Sequence, residues 1–211
     1  MSKTKKMVFT ALICALSFVL TMFVKIPIST VDFLKYDPKD VIIVIAGFIF
    51  GPLTTVVVTI IVAFIEMITI SSTGPIGFLM NVISTVAFAT VAASIYKVNR
   101  TMKGAILALV MGIISQTAAM LLWNYAITPL YMPGVTRADL VKMLIPVFLP
   151  FNLIKSSVNA ALTLIIYKPF VRVMHGIGLI EKESSSKSYL PLLIASVIVI
   201  VLCMGAVLIL K

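Results

Sequence analysis

Long apolar stretches, separated by short polar or basic segments, are the feature that most restricts what this chain can fold into. Most of these stretches are roughly twenty residues long, and a helix of that length crosses the ~30 Å hydrocarbon layer of a bilayer. Of the 211 residues, 61% are hydrophobic and only 11% are charged, whereas a soluble domain has roughly 25% charged residues. The sequence therefore predicts an all-α integral membrane protein and excludes a soluble domain.

Prolines, glycines and polar segments divide the chain into predicted helices. Pro146 and Pro150 lie inside the sixth of them, where a kink is expected because proline removes a backbone hydrogen bond. Asp37 or Asp40 is expected to cap the second helix. The predicted helices cover residues 6–24, 38–50, 53–70, 78–96, 104–127, 137–167 and 190–210.

The chain is expected to have three parts. Residues 1–175 form a six-helix unit that carries polar residues and prolines. Residues 176–188 form a polar, cytoplasmic linker. Residues 189–211 form an additional C-terminal transmembrane helix that is almost uniformly apolar.

Basic residues are concentrated in the segments between alternate apolar stretches. With the N-terminus inside, the inner segments hold ten Lys or Arg and two Glu, whereas the outer loop 25–40 holds three Lys and three Asp. An excess of Lys and Arg is typical of cytoplasmic loops. We therefore expect a multi-pass protein of the cell membrane with a cytoplasmic N-terminus. The net charge of +10 is explained by this pattern, and no nucleic-acid partner is expected.

Three polar residues share one face of the sixth predicted helix. Asn152, Lys155 and Asn159 are spaced i, i+3 and i+7, which places them on the same side of a helix. Ionisable groups in the hydrocarbon layer are costly and normally face a cavity or a partner. The face predicts a polar pocket; the alternative is hydrogen bonding that holds neighbouring helices together.

Further polar residues lie towards the same, outer side of the predicted bundle. Glu66 is near the outer end of the third helix, where it either lines a pocket or pairs with the lysine of the sixth helix. Asn124 lies between Trp123 and Tyr125; this pattern suits a planar heterocycle, although aromatic residues also form interfacial belts. Asn81 is a weaker candidate. Together these residues predict a small-molecule pocket with apolar walls and a few polar groups.

Motifs of catalysis are missing from the sequence. There is no phosphate-binding loop, no zinc-protease motif and no nucleophile elbow. His175 is the only histidine, and no candidate nucleophile or metal ligand stands beside it in the sequence. We expect neither enzyme activity nor a cofactor or metal. Ala11 and Ala15, four residues apart, permit close helix approach, either within the chain or to another membrane subunit.

Four motifs resemble the riboflavin-specific substrate-binding subunits, or S components, of energy-coupling factor (ECF) transporters. They are the strings at residues 33–40 and 74–81, the Trp-Asn-Tyr of 123–125, and the Asn-x-x-Lys of 152–155 followed by Asn159. The resemblance covers about residues 5–175. The seventh helix lies outside the usual pattern of the family.

The resemblance implies a six-helix protein that captures riboflavin from the outside with high affinity. Riboflavin would be the transported ligand and not a cofactor. Loop 1, residues 28–40, would cover the site, and Ala11 and Ala15 would dock on a transmembrane coupling subunit that joins two cytoplasmic ATPases. Ring contacts would come from Asn124, Asn152 and Lys155. The loop 1 residues Leu34, Lys35, Tyr36 and Asp37 would add contacts, largely through their backbone. Glu66, Thr73 and the loop backbone could meet the ribityl hydroxyls. The remaining candidates for substrate binding are Gly74, Asn81, Tyr125 and Asn159.

Two other functions remain open at this point. The first is an S component for another vitamin. The second is an ion-coupled permease in which Glu66 and Lys155 titrate. A membrane enzyme is disfavoured because no nucleophile is paired with a base.

Overall fold

The computed structural model describes residues 2–27, 34–130, 136–176 and 190–210. Within these ranges the backbone is mainly helical, with one very short hairpin. The helices are α1 Lys3–Phe23, α2 Lys39–Phe50, α3 Pro52–Thr69, α4 Gly74–Thr85, α5 Val91–Val98, α6 Met102–Ala126, α7 Arg137–Met143, α8 Leu149–Gly176 and α9 Leu190–Leu210.

Two π-helical segments, one 3₁₀ turn at Thr128–Leu130 and a hairpin complete the described elements. Val86–Thr90 joins α4 to α5, and Leu144–Phe148 joins α7 to α8. Strands β1 (Ile26–Pro27) and β2 (Lys35–Tyr36) pair antiparallel, with Ile26 opposite Tyr36. The pairing therefore joins the segment that follows α1 to the segment that leads into α2.

Five stretches of the described chain are long and apolar enough to cross a membrane. They are Lys3–Phe23, Pro52–Thr69, Gly74–Val98, Met102–Ala126 and Arg137–Pro169. The all-α membrane fold with a six-helix unit and a seventh helix is confirmed. Helix α2 is too short to span a bilayer by its own length, because its 12 residues rise only about 18 Å.

Helix α2 lies at the centre of the bundle. It packs against α1, α3, α5 and α8, and nine of its residues are buried. Residues 34–38 lead into it and are largely buried as well. Irregular backbone at membrane depth is tolerated when protein surrounds it, so α2 can begin inside the bundle and need not reach the surface.

The apolar core has two parts. The larger surrounds α2 and includes Val44, Phe88 and Leu109. The smaller lies beside the hairpin; we call it the loop cluster, and it consists of Leu34, Tyr36, Leu140, Phe148, Phe151 and Ile154. Many apolar side chains of α1 and α3 are instead exposed, as expected for helices that face lipid.

Several helix boundaries differ from the prediction. Helix α4 begins at Gly74 and not at Phe78, because Pro75 fits the first turn of a helix. Helix α8 continues through Pro169 to Gly176 instead of ending at Tyr167. The kink expected near Pro146 coincides with the Leu144–Phe148 π-segment, and π-segments are among the known causes of helix kinks.

Neither aspartate caps α2, contrary to expectation. Pro38 occupies the N-cap position, and α2 has no side-chain hydrogen bond that caps its N-terminus. Asp37 instead faces two lysines, and Asp40 accepts hydrogen bonds from Thr85 and Asn159. Buried charges need such partners more than the helix end needs a cap.

Most of the expected linker 176–188 lies outside the described residues.

Gly47 provides a test of the packing around α2. A Cβ atom at this position would collide with the Thr55 side chain and lie 2.8 Å from the Ala93 Cβ. We expect Gly47→Ala to destabilise the protein by about 1–3 kcal/mol through overpacking, as measured by thermal unfolding in detergent. Gly205→Ala is the control, because a Cβ there has open space; equal stability of both variants would contradict the packing.

Candidate functional site

A cavity of about 230 Å³ lies between the hairpin and the ends of α3, α4, α6 and α8. Its apolar wall is formed by Leu34, Ile70, Met80, Met120 and Phe151. Its polar lining consists of Lys25, Lys35, Asp37, Glu66, Ser71, Ser72, Thr73, Asn81, Ser84, Asn152 and Lys155.

Asn152 and Lys155 reach the cavity from α8, as the spacing predicted. Both side chains are buried. The Asn152 Nδ2 donates to the Phe148 carbonyl over 2.8 Å, and among the described residues nothing donates to its Oδ1. The Lys155 ammonium donates to the Asp37 Oδ2 over 3.3 Å. The face thus combines a free acceptor with a cation that already has one partner.

Asp37 connects loop 1 to this face. One carboxylate oxygen is near Lys155, and the other lies 3.9 Å from the Lys39 Nζ without a hydrogen bond from any described residue. Burial by itself would raise the pKa of the Asp37 carboxyl, but the Lys155 and Lys39 ammonium groups outweigh it and hold that pKa below its ordinary value. Asp37 is therefore an anion at the edge of the cavity.

Glu66 has a different partner from the one considered in the sequence. Both of its oxygens accept from the Lys39 ammonium at 2.8 Å, and Oε2 also accepts from the Asn81 Nδ2 at 3.2 Å. Lys155 is paired with Asp37 and not with Glu66. Glu66 and Asn81 both line the cavity, whereas Lys39 is not among the lining residues.

A second polar chain runs beside the cavity. The Tyr36 hydroxyl donates to the Asn159 Oδ1 over 3.0 Å, and the Asn159 Nδ2 donates to the Asp40 Oδ2 over 3.3 Å. The Thr85 hydroxyl donates to the other oxygen of Asp40 over 2.6 Å. Tyr36 and Asn159 are not among the lining residues; they connect loop 1, α2, α4 and α8 next to it.

Asn124 and Tyr125 do not line the cavity. The Asn124 Nδ2 donates to the Met120 carbonyl over 2.7 Å, and its Oδ1 accepts from the Thr128 hydroxyl over 3.1 Å. Tyr125 is 46% exposed while Trp123 is buried. Residues two apart point about 200° apart on a helix, so this aromatic pair cannot flank one ligand.

Thr73 and Gly74 lie at the start of α4. Thr73 lines the cavity and precedes the helix as its N-cap residue. Gly74 is not among the lining residues; its φ of +56° belongs to the left-handed region that glycine adopts without strain. Gly74 thus sets the turn that presents Thr73 to the cavity.

Sequence reasoning missed the buried roles of Lys39 and Asp40 and did not single out Ser84 and Gln116. The first two were counted as outer-loop charges, yet both are buried. The Gln116 Nε2 donates to the Ser84 Oγ over 3.0 Å, and the Gln116 Oε1 has no partner among the described residues. An amide in an apolar helix was a usable signal for Gln116. Lys39 and Asp40 stand where a predicted helix begins beside the outer loop, and charges in such a place are normally solvated.

These groups suit a flat, hydrogen-bonding, partly apolar ligand. Leu34, Met80, Met120 and Phe151 provide apolar contact on several sides. The Asn152 oxygen can accept from a ring N–H, and the Lys155 ammonium has donors left for a carbonyl. A ligand that satisfies these groups relieves the cost of leaving them unpaired.

Comparisons with known proteins agree with this architecture. The chain matches the family "ECF transporter, substrate-specific component" over residues 5–167. It is 29% identical to the riboflavin transporter RibU of Staphylococcus aureus, covering 80% of this chain and 91% of that protein. It is 30% identical to the riboflavin transporter FmnP of Bacillus subtilis, covering 80% of this chain and 95% of that protein.

A solved structure gives the same result for the fold. The S component of a bacterial ECF transporter superposes with a TM-score of 0.69 at 26% identity, covering 82% of this chain and 99% of the other. The family match extends over most of the chain and includes every residue that lines the cavity. This chain is therefore a member of the substrate-specific components of ECF transporters.

Proposed function

We propose that the chain captures riboflavin in the cavity beneath the β1–β2 hairpin and delivers it to an ATP-driven ECF importer. One observation carries the proposal: Asn152 and Lys155 lie on one face of α8 and line the cavity. The names of the relatives as riboflavin transporters support it independently. Those relatives are transporters, in line with an expected lack of enzyme activity.

The isoalloxazine ring fits the chemistry of the lining. Its faces are apolar, and its pyrimidine edge alternates carbonyl acceptors with an N–H donor. Asn152 offers an acceptor to the N–H, and Lys155 donates to a neighbouring carbonyl. Phe151 and the two methionines Met80 and Met120 provide apolar contact for the ring faces.

The ribityl chain needs several hydroxyl partners. Glu66, Asn81, Thr73 and the serines of residues 71–72 lie on the other side of the cavity and offer both acceptors and donors. At about 230 Å³ the cavity is smaller than the ~300 Å³ at the low end for ligand sites. Riboflavin therefore requires an outward displacement of the hairpin or of lining side chains.

Asn124 and Tyr125 have weaker support as ligand contacts than Asn152 and Lys155. Asn124 would have to leave its bonds to Met120 and Thr128 before it could reach a ligand. Tyr125 is directed away from the cavity side of α6. Asn159 and Tyr36 support the proposal indirectly, as residues that hold loop 1 against α8.

The protein as purified tests the ligand directly. We expect the purified protein to be yellow and to show the absorption bands of bound riboflavin. Added riboflavin should quench the fluorescence of Trp123, the single tryptophan. A colourless protein whose fluorescence does not respond to riboflavin would refute the proposal. A response to a different vitamin would retain the S component but change its substrate.

Substitutions on α8 test the site. Asn152→Ala or Lys155→Ala should each weaken riboflavin binding at least tenfold, roughly 1.4 kcal/mol, because each leaves an edge group of the ring unpaired. Leu153→Ala is the matched control, since Leu153 lies between them on the exposed side of α8. Fluorescence titration measures all three; unchanged affinity in both site variants would exclude this cavity as the site.

We also propose that the groove between α1 and α3 docks the transmembrane coupling subunit, which joins two cytoplasmic ATPases. The groove has a volume of about 700 Å³ and is almost entirely apolar. Ala11 and Ala15 lie on its α1 side and are exposed. Small residues four apart let another helix approach closely. The N-terminal lysines Lys3 and Lys6 border the groove, in keeping with a cytoplasmic N-terminus in the cell membrane.

Bulky groups in this groove should block assembly and leave capture intact. We expect Ala11→Trp with Ala15→Trp to reduce co-purification with the coupling subunit by at least tenfold, because each indole occupies the space of a partner helix. Riboflavin affinity of the isolated chain should not change. Leu12→Trp with Leu16→Trp serves as the control on a neighbouring exposed face of α1; a loss of assembly in the control alone would assign docking to that face.

A further inference from the structure

Helix α9 has no part in capture or docking as described so far. The family match ends at residue 167, the cavity lining comes from residues 25–155, and the docking groove lies between α1 and α3. Helix α9 packs against α8. Its location therefore calls for a separate explanation.

A regular seam joins α9 to α8. Five residues of α9, spaced alternately by three and four, are buried or half-buried. This spacing is that of helices which pack side by side over several turns. Val201 and Leu202, on the other side of α9, are 62% and 67% exposed. The seam residues are Leu193, Ser196, Ile200, Cys203 and Val207.

The C-terminal end of the seam meets the loop cluster. Cys203, Ala206 and Val207 pack against this cluster. Two of its members, Leu34 and Phe151, also line the cavity. Helix α9 therefore packs against a cluster of side chains that also forms part of the cavity wall.

The segment Leu144–Phe148 lacks the regular backbone hydrogen bonds of an α-helix. Pro146 and Pro150 provide no backbone N–H, and residues 144–148 form a π-segment. The Asn152 amide is held by the Phe148 carbonyl, so the position of Asn152 depends on this segment. External packing is needed to keep such a segment in one arrangement.

We propose that α9 is a positioning element of the substrate site. It holds the Leu144–Phe148 segment and the loop cluster, and through them Leu34 and Asn152, in the arrangement that retains the ligand. Preorganisation of this kind acts mainly on the rate of ligand dissociation. The inference depends on the proposed function only for the identity of the ligand used as a probe.

The test uses the full chain with a bulky residue in the seam. Cys203→Phe separates α9 from α8, whereas Met204→Phe adds a ring to the adjacent exposed position, where Met204 is 64% exposed. We expect Cys203→Phe to accelerate riboflavin dissociation about tenfold with little change in association. Met204→Phe should leave both rates unchanged. Ala206→Leu, at a position that also packs against the loop cluster, is a smaller change for use if Cys203→Phe does not fold.

Hydrogen exchange without ligand provides a second readout. Amides of residues 34–36 and 144–148 should exchange faster in the seam variant, while those of α3 should not change. Equal dissociation and equal exchange in seam and control variants would overturn the proposal, and so would faster exchange throughout the bundle. If the unaltered chain binds no riboflavin, the proposed function fails, and the exchange comparison still decides the role of α9.

Discussion

Five charged side chains buried in an apolar bundle are the constraint on which the rest of the structure depends. Lys39, Lys155, Asp37, Asp40 and Glu66 are each at most 6% exposed. An isolated charge in such surroundings is prohibitively costly. Each of them is therefore matched, by the ion pairs of Lys39 with Glu66 and of Lys155 with Asp37, and by the hydroxyl and amide that reach Asp40. The start of α2 and the course of loop 1 follow from these pairings.

The pairing also explains why one region can be both structural and functional. Lys155 retains donors after bonding to Asp37, and Asn152 retains an acceptor after bonding to Phe148. Because each group already has one hydrogen bond, its orientation is fixed, and it can still form a further hydrogen bond to a ligand. The proposed ligand site is thus the part of a buried polar network in which some donors and acceptors lack a partner within the protein.

Much of this could be predicted from the sequence, and the failures have identifiable causes. The span pattern, the shared face of Asn152, Lys155 and Asn159, and the extra C-terminal helix follow from hydrophobicity and helical spacing. Lys39 and Asp40 could not be recognised as buried, because local sequence does not reveal that α2 begins inside the bundle. The aromatic pair at 123–125 was overinterpreted, since adjacency in sequence is not adjacency on a helix. Gln116 was detectable by the same cost argument that identified Asn152.

The bonds of Asp40 have a mechanical consequence. Its carboxylate on α2 joins Thr85 on α4 to Asn159 on α8, and Glu66 on α3 joins Lys39 to Asn81. Sliding any of these four helices past another would strip a buried anion of its partners. The four helices are therefore linked at one level, and a movement that releases a ligand without breaking these bonds displaces the hairpin or carries the four helices together.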